Sequence, residues 1–303
     1  MSFEQDSVWK EVLEACFEEF LRFFFPRVHH AVDWSREIEF LDKELEPLIR
    51  DGQSGKNHAD KLVKVTLRSG EEVCILVHVE VQGYWEADFP ERMHRYNHRI
   101  QERFGKNVVS LAVLTDDRPA WRPVLHGLVR WGFAHIFLFP IAKLTDYRDR
   151  WGELETSENP FAVVVMTHLK YQEAGQAPER RLEVKLGLIR TLYKRRFERK
   201  LVEHLLRFID WILTLPEELD KVVWREVAEL EGVRTMPYVT SWERLGERRG
   251  LRESIVLALL EKFGEPARTL VPRLEAIVNA DQLRAIFLAC LKAESLDELS
   301  KLL

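Results

Sequence analysis

Cysteine is scarce in this 303-residue chain, which contains only Cys16, Cys74 and Cys290. Three cysteines far apart exclude a disulfide-stapled fold, and they also exclude the paired Cys spacing of a structural zinc site. Scattered thiols of this kind are typical of proteins kept in a reducing compartment. We therefore expect a cytoplasmic location.

The chain also lacks a hydrophobic run long enough to span a bilayer. Its most apolar stretches, residues 17–25 and 75–81, are too short or too interrupted for that role. The first ten residues, MSFEQDSVWK, lack the basic region with which a secretory signal begins, so we expect no such signal. Membrane partners are therefore not expected.

An excess of basic residues is absent as well, since the formal net charge is −5. This balance argues against a generally basic nucleic-acid binder but leaves a local basic face open. Hydrophobic residues make up 46% and charged residues 31%, as in a globular protein with a sizeable core. At about 150 residues per domain, the length predicts about two domains.

Several common catalytic motifs are missing. Residues 52–57 (GQSGKN) place two residues between the glycines, where a phosphate-binding loop needs four, and Asn57 replaces Ser or Thr. His94 and His98 have the spacing of a zinc-protease helix, but Arg95 stands where the catalytic Glu would be. The chain also contains no nucleophile elbow and no glycine-rich dinucleotide fingerprint.

The most informative feature present is a pair of acidic segments, residues 59–62 (ADKL) and 78–82 (HVEVQ). Apolar runs at residues 62–67 and 73–81 flank Ser69 and Gly70, which predicts an antiparallel hairpin. Folding this hairpin can bring Asp60 and Glu80 together. Two nearby carboxylates can hold a divalent metal ion, and such an ion can drive phosphodiester cleavage.

The environment of Glu80 has two interpretations. Alternation along a strand puts His78, Glu80 and Gln82 on one face and the intervening valines on the other. A charged Glu buried there without a partner would be costly, and a metal ion or a cation would relieve that cost. Alternatively, Glu80 lies at the exposed end of an edge strand and pairs with an arginine.

The flanking segments have a helical pattern. Apolar residues recur every four positions over residues 2–25, and Pro26 is expected to end that helix. Asp6 lies in its first turn, where an acid is favoured by the helix dipole whether or not it has a further role. A second helix is predicted to begin at Asp88 with a capping box and to end at Gly105.

That second helix carries Arg92, Arg95, Arg99 and Arg103 at spacings of three and four. The spacing aligns the arginines along one stripe, which could follow a phosphate backbone while Tyr96 stacks or donates a hydrogen bond. A solvated helix face explains the same pattern.

The element order predicts a mixed α/β sheet covered by helices, because a helix between the hairpin and a strand at residues 108–114 is a crossover connection. A further short strand is expected at residues 135–139. Beyond about residue 160 the pattern is helical, with helices expected in the following segments: 178–196, 198–214, 216–231, 240–263, 281–292 and 295–303. The last two domains are expected at residues 171–238 and 239–303, after a first domain at 1–170.

Five motifs together resemble one known family: FLDKEL (40–45), ADKLVKV (59–65), HVEVQ (78–82), DFPERMHRYNHRI (88–100) and VVSLAVLTDDRPAWRP (108–123). This family is the Rpn recombination-promoting nuclease/putative transposase family of the PD-(D/E)XK nuclease superfamily. The later segments NPFAVVVMTHLK, LLRFIDWILTLPEEL and MPYVTSWERLGERRG are similar to the same family, so the resemblance covers most of the chain. From about Ser241 the chain resembles a helical module of unknown function.

The resemblance implies a restriction-endonuclease-like αβββαβ core in residues 1–170, a helical extension packed on it and a small C-terminal helical module. The metal-binding acids of the superfamily fall on Asp60 and Glu80, and the acid of the first helix falls on Asp6. Arg92 and Tyr96 match the family pattern on the helix after the hairpin.

The position that usually holds Lys in the superfamily falls on Gln82. A Lys can orient the attacking water and offset charge, whereas Gln can hydrogen-bond a water but carries no charge. Other members of the family resemble this chain in having Gln there. Lys64, which has the strand parity of Asp60, is one hypothetical source of the missing charge.

The resemblance implies a metal-dependent DNA endonuclease linked to recombination or mobile elements. Asp60 and Glu80 would hold Mg²⁺ or Mn²⁺, with Asp6 acting through a water. Gln82 would position the attacking water, while Arg92, Tyr96 and Arg99 would contact DNA. The alternatives are a catalytically degenerate DNA-binding or assembly protein and a transposase. A homodimer would suit two cuts on a duplex.

Overall fold

The computed structural model describes residues 3–49, 58–80, 88–231, 240–275, 277, 280–293 and 296–300. For some of these, including residues 3–7, 58–60 and 78–80, it describes the backbone only. Contacts between residues divide the chain into two compact units, Met1–Leu230 and Glu231–Leu303. The predicted division at residues 170 and 238 stays a prediction.

Three helices open the first unit: α1 (Phe3–Ala15), α2 (Phe17–Phe24) and α3 (Pro26–Ala31). The single helix predicted over residues 2–25 is therefore wrong at one point, because Cys16 leaves the helical region with φ −139° and ψ 43°. Pro26 does not simply end the segment. It begins α3, where a missing amide hydrogen costs nothing.

Within the described residues the chain forms seven strands: β1 (Glu39–Phe40), β2 (His58–Thr66), β3 (Glu72–Glu80), β4 (Val108–Leu114), β5 (Leu125–Arg130), β6 (Phe133–Leu138) and β7 (Ile141–Lys143). Five of them form a mixed sheet in the order β1-β2-β3-β4-β7. β1, β2 and β3 pair antiparallel, whereas β4 is parallel to both β3 and β7. The predicted hairpin, the strand at 108–114 and the mixed sheet are confirmed.

Helices cover both faces of this sheet. Lys61 of β2 donates to Glu14 of α1 on one face, at 2.9 Å. On the other face lie α4 (Asp42–Ile49) and the crossover helix α5 (Phe89–Phe104), where Leu62 and Leu76 pack with Tyr96. Burial of an apolar layer on each side explains why β3 consists almost entirely of apolar residues between its ends.

The structure confirms the predicted C-terminal end of α5 but not the predicted capping box at its N-terminal end. Gly105 closes the helix in the left-handed conformation, with φ 60°, as predicted. Asp88 stands at the N-terminal cap position, but its side chain makes no capping hydrogen bond in the described structure. The capping box expected there is therefore wrong, and Pro90 in the first turn remains the local signal for the helix start.

β5 and β6 form a separate antiparallel hairpin. Trp131 and Gly132 both have positive φ, 52° and 83°, as the two-residue turn of a tightly twisted hairpin requires. The strand expected at residues 135–139 corresponds to β6, which begins two residues earlier. β5 was not predicted, because its residues do not alternate cleanly between apolar and polar.

After β7 the described chain is helical, as predicted. The α-helices are α6 (Trp151–Thr156), α7 (Pro160–Ala174), α8 (Pro178–Tyr193), α9 (Arg199–Ile212), α10 (Glu217–Glu231), α11 (Thr240–Phe263), α12 (Val271–Glu275), α13 (Ala280–Lys292) and α14 (Leu296–Ser300). None of the described helices is both long enough and apolar enough to cross a membrane.

Each unit has its own apolar core. In the first unit, Trp9 and Phe20 pack against Phe161 at the start of α7, which is buried on nearly all sides. In the second unit, Ile255 and Leu259 of α11 belong to one cluster with Leu283 of α13. Separate cores of this kind are what two independently packed units require.

Candidate metal and nucleic-acid site

The β2–β3 ladder fixes the relation between the two acids in which the sequence predicts a metal site. Asp60 pairs with His78, and Glu80 pairs with His58. Asp60 and Glu80 are therefore diagonal neighbours on adjacent strands, which places their backbones about 7–8 Å apart. Their side chains lie outside the described residues, so the structure establishes the backbone arrangement alone.

The two other predicted catalytic or metal-binding residues are not placed by the structure. Gln82 lies outside the described residues. Asp6 falls in the first half of α1, but its side chain lies outside the described residues too. The structure therefore gives the strand register of Asp60 and Glu80 and the helix of Asp6, while the roles of Asp6 and Gln82 stay predictions.

Glu80 ends the strand at the centre of the sheet. It pairs with Leu114, the last residue of β4, and Leu114 pairs in turn with Lys143 of β7. The carboxyl ends of three parallel strands therefore meet at one edge of the sheet. In open sheets of this type, ligands bind just outside the carboxyl ends of parallel strands, so Glu80 stands in a favourable position for a functional residue.

A buried ion pair lies at the same edge and was not predicted from the sequence. Lys143 donates to both carboxylate oxygens of Asp116, at 2.8 and 2.7 Å, and to the carbonyl of Trp121 at 3.1 Å. The backbone amide of Arg118 also donates to Asp116, at 2.9 Å. Both oxygens of Asp116 are thus occupied, which indicates a clamp on the loop after β4.

α5 does not present its arginines as one exposed stripe. Arg92 is 8% exposed, with its guanidinium 5.4 Å from the centre of the Phe89 ring, and Tyr96 is buried in the cluster beneath the sheet. Arg99 is half-buried, while Arg95 and Arg103 are exposed. Helical spacing predicted that the arginines align along α5. Packing of α5 against the sheet instead buries some of these arginines and leaves others at the surface.

Lys64 is not placed to supply the charge that Gln82 lacks. Its ammonium group pairs with the carboxylate of Glu39 on β1, and this hydrogen bond raises the pKa of Lys64. Lys64 also lies four residues from Asp60 along β2, which corresponds to about 13 Å.

A surface groove occupies the opposite end of the hairpin. Its lining includes Arg36, Glu71, Glu72 and Lys106 at the β2–β3 turn. Lys106 donates to Glu72 at 2.5 Å, which lowers the pKa of that carboxyl group. This groove is therefore a paired, mixed-charge surface distant along the strands from Asp60 and Glu80.

Neither the described side chains nor known proteins give independent support for a metal site. In the part of the chain that the structure describes, no three His, Cys, Asp or Glu side chains surround a common point as metal ligands do. Comparison of the chain with family models, with curated proteins and with solved structures found no match. The functional interpretation therefore depends on the motifs of the chain and on the register of β2 and β3.

Proposed function

We propose that this protein is a metal-dependent DNA endonuclease with a restriction-endonuclease-like core. The observation that carries the proposal is the diagonal pairing of Asp60 and Glu80 beside the carboxyl end of the central strand. The antiparallel hairpin, the crossover helix and the parallel strand around this pair have the order of the last four elements of an αβββαβ core, while α4 separates β1 from the hairpin. The family resemblance of the motifs supports the same interpretation.

The donor set suits a hard divalent cation. Asp60 and Glu80 would hold Mg²⁺ or Mn²⁺, because carboxylate oxygens are the preferred ligands of such ions, and Asp6 would act through a water. When bound, the ion lowers the pKa of a coordinated water and stabilises negative charge on the phosphate. Gln82 would orient the attacking water through its amide, which can both donate and accept a hydrogen bond.

The contacts to DNA would come from the exposed side of α5. Arg95 and Arg103 are exposed, and Arg99 is half-buried between them. Buried Arg92 and Tyr96 would hold α5 on the sheet and so keep this surface in register with Asp60 and Glu80. Contacts of this type go to phosphates, so binding should weaken steeply as the salt concentration rises.

The test is nicking of a supercoiled plasmid by the full-length protein in Mg²⁺. We expect Asp60→Ala and Glu80→Ala to lower the cleavage rate by at least about 100-fold, because each would remove a ligand of the ion. Glu72→Gln is the matched control, since it changes an acid of the same hairpin at the opposite end. Equal cleavage by the wild type and both alanine variants would refute the assignment.

Gln82 favours a second candidate function, a DNA-binding or assembly protein on a degenerate nuclease fold, because it brings no charge to the site. Calorimetry with Mn²⁺ separates the two. Binding that is lost in Asp60→Ala counts against the degenerate protein, whereas DNA binding without any metal binding favours it. A transposase would in addition join DNA strands in a strand-transfer assay, where the endonuclease yields only hydrolysed ends.

A further inference from the structure

A cluster of histidines lies where α5 meets the β5–β6 hairpin. The Nε2 atoms of His94 on α5 and His135 on β6 are 2.9 Å apart. His126 on β5 stacks on His94 with ring centres 5.2 Å apart, and the rings of His126 and His135 are 6.4 Å apart. Three imidazoles from three different elements therefore occupy one small volume.

The hairpin register explains this convergence. His135 pairs with Leu128, and His126 pairs with Phe137, so the two histidines are diagonal neighbours on one face of the hairpin. Phe137 lies on the same face, with its ring centre 5.3 Å from that of His94. This face is therefore the one directed at α5.

The dimensions of the cluster are close to those of a three-imidazole metal site. Zinc–nitrogen bonds of about 2.0–2.1 Å in tetrahedral geometry place ligand nitrogens about 3.3 Å apart and ring centres about 5 Å apart. The His94–His135 pair, with a nitrogen separation of 2.9 Å and ring centres 4.5 Å apart, is slightly tighter than this.

His126 departs from that geometry in its orientation. Its ring plane is only 23° from that of His94, so it lies against His94 and does not aim a nitrogen between His94 and His135. This explains why the described side chains show no three-ligand arrangement. Binding of one ion by all three residues would therefore require the half-buried His126 to rotate about its side-chain torsions.

The pKa of His94 is shifted in the direction that suits a bound cation. Burial first, and then the neighbouring His135, His126 and His98, lower the pKa of His94, while Glu91 has a smaller opposing effect. His98 lies 3.4 Å from Glu102 on the exposed side of the helix. A lowered pKa favours the neutral imidazole of His94, which is the form that binds metal ions.

A bound ion would also stabilise the β5–β6 hairpin. Its outer face has no polar side chain and consists of apolar residues and one glycine: Leu125, Gly127, Val129, Ala134, Ile136 and Leu138. Trp131 at the turn is 95% exposed. A two-stranded hairpin is marginally stable in water, so it depends on its attachment to α5. A bond from each strand and from the helix to one ion would fix that attachment.

We propose that His94, His126 and His135 bind a divalent transition-metal ion of the Zn²⁺ class, which fixes the β5–β6 hairpin on α5. Imidazole nitrogens favour such ions, whereas the carboxylates of Asp60 and Glu80 favour Mg²⁺ or Mn²⁺. The two sites are chemically distinct. This proposal therefore does not depend on nuclease activity.

The test is equilibrium dialysis against Zn²⁺ at about pH 7.5, which is above the ordinary pKa of a histidine side chain. The protein carries Asp60→Ala and Glu80→Ala, which remove the carboxylates of the other proposed site. We expect one bound Zn²⁺ per chain, with affinity lowered at least about 100-fold by His94→Gln or His135→Gln. His30→Gln, at an exposed histidine of α3, should leave binding unchanged.

X-ray absorption of the Zn²⁺-loaded protein tests the unsubstituted cluster, so the outcome does not depend on how the histidine variants fold. We expect about three imidazole ligands per zinc. The proposal is overturned by the absence of stoichiometric binding, by binding that persists in His135→Gln, or by fewer than three imidazole ligands. Any of these outcomes would leave His94 and His135 as a hydrogen-bonded pair only.

Discussion

His168 should make the stability of the first unit depend on pH. It lies in the buried helix α7, where the indole Nε1–H of Trp9 donates to His168 Nε2 at 3.0 Å. The rings of Trp9 and Phe208 lie 5.5 and 5.6 Å from the His168 ring, measured between centres. Because Nε2 accepts a hydrogen bond, the folded state holds the neutral imidazole.

The magnitude follows from the pKa of this imidazole. Burial lowers the pKa of His168 from 6.5 to about 3. Between these two values the unfolded chain binds a proton that the folded chain does not, so stability is complete above pH 6.5 and falls as the pH is lowered toward 3. At 1.36 kcal/mol per pH unit, the loss between pH 7 and pH 5 is about 2 kcal/mol.

His168→Gln isolates this effect, because Gln does not titrate but can still accept the hydrogen bond from Trp9. Urea unfolding at pH 7 and pH 5 gives the free energy of unfolding of each protein. We expect the wild type to lose about 2 kcal/mol more than His168→Gln between these pH values. Other groups titrate equally in both proteins. An equal loss would refute the assignment of a neutral buried His168.

Two further predictions concern stability. Lys143→Met should lower the free energy of unfolding by about 3–5 kcal/mol in urea titration, because Asp116 would stay buried without its cation. The exposed pair of Arg150 and Glu153 is the control, and Arg150→Met should leave the urea midpoint nearly unchanged. Gly105→Ala should lower the free energy of unfolding by about 1 kcal/mol, and with it the melting temperature, because φ is 60° at this position. Gly105→Asn should lower the melting temperature less. An unchanged midpoint for Lys143→Met, or an unchanged melting temperature for Gly105→Ala, would contradict these assignments.

The sequence predicted those helix ends, strands and hairpins that are determined by neighbouring residues. The bounds of β4 match the apolar run at residues 108–114, and Gly105 ends α5 as its lack of a side chain suggests. The hairpin that carries Asp60 and Glu80 was also predicted, because apolar runs flank a Ser-Gly turn. These features depend on residues that are close in the sequence.

Features that depend on distant contacts were not predicted. The break at Cys16 interrupts an apolar pattern that continues with the same spacing in α2. The burial of Arg92 and Tyr96 depends on how α5 packs against the sheet, which helical spacing does not show. The contact of His94 with His135 joins residues that are 41 positions apart and needs a hairpin whose first strand has no clear alternation.

The most direct test of the central claim is to locate a bound ion. Crystals grown with Mn²⁺ would be measured by anomalous diffraction, which identifies the ion and its ligands. We predict one Mn²⁺ with carboxylate oxygens of both Asp60 and Glu80 at about 2.0–2.5 Å. An ion bound by only one of these residues, or no ion at either of them at millimolar Mn²⁺, would contradict the proposed site.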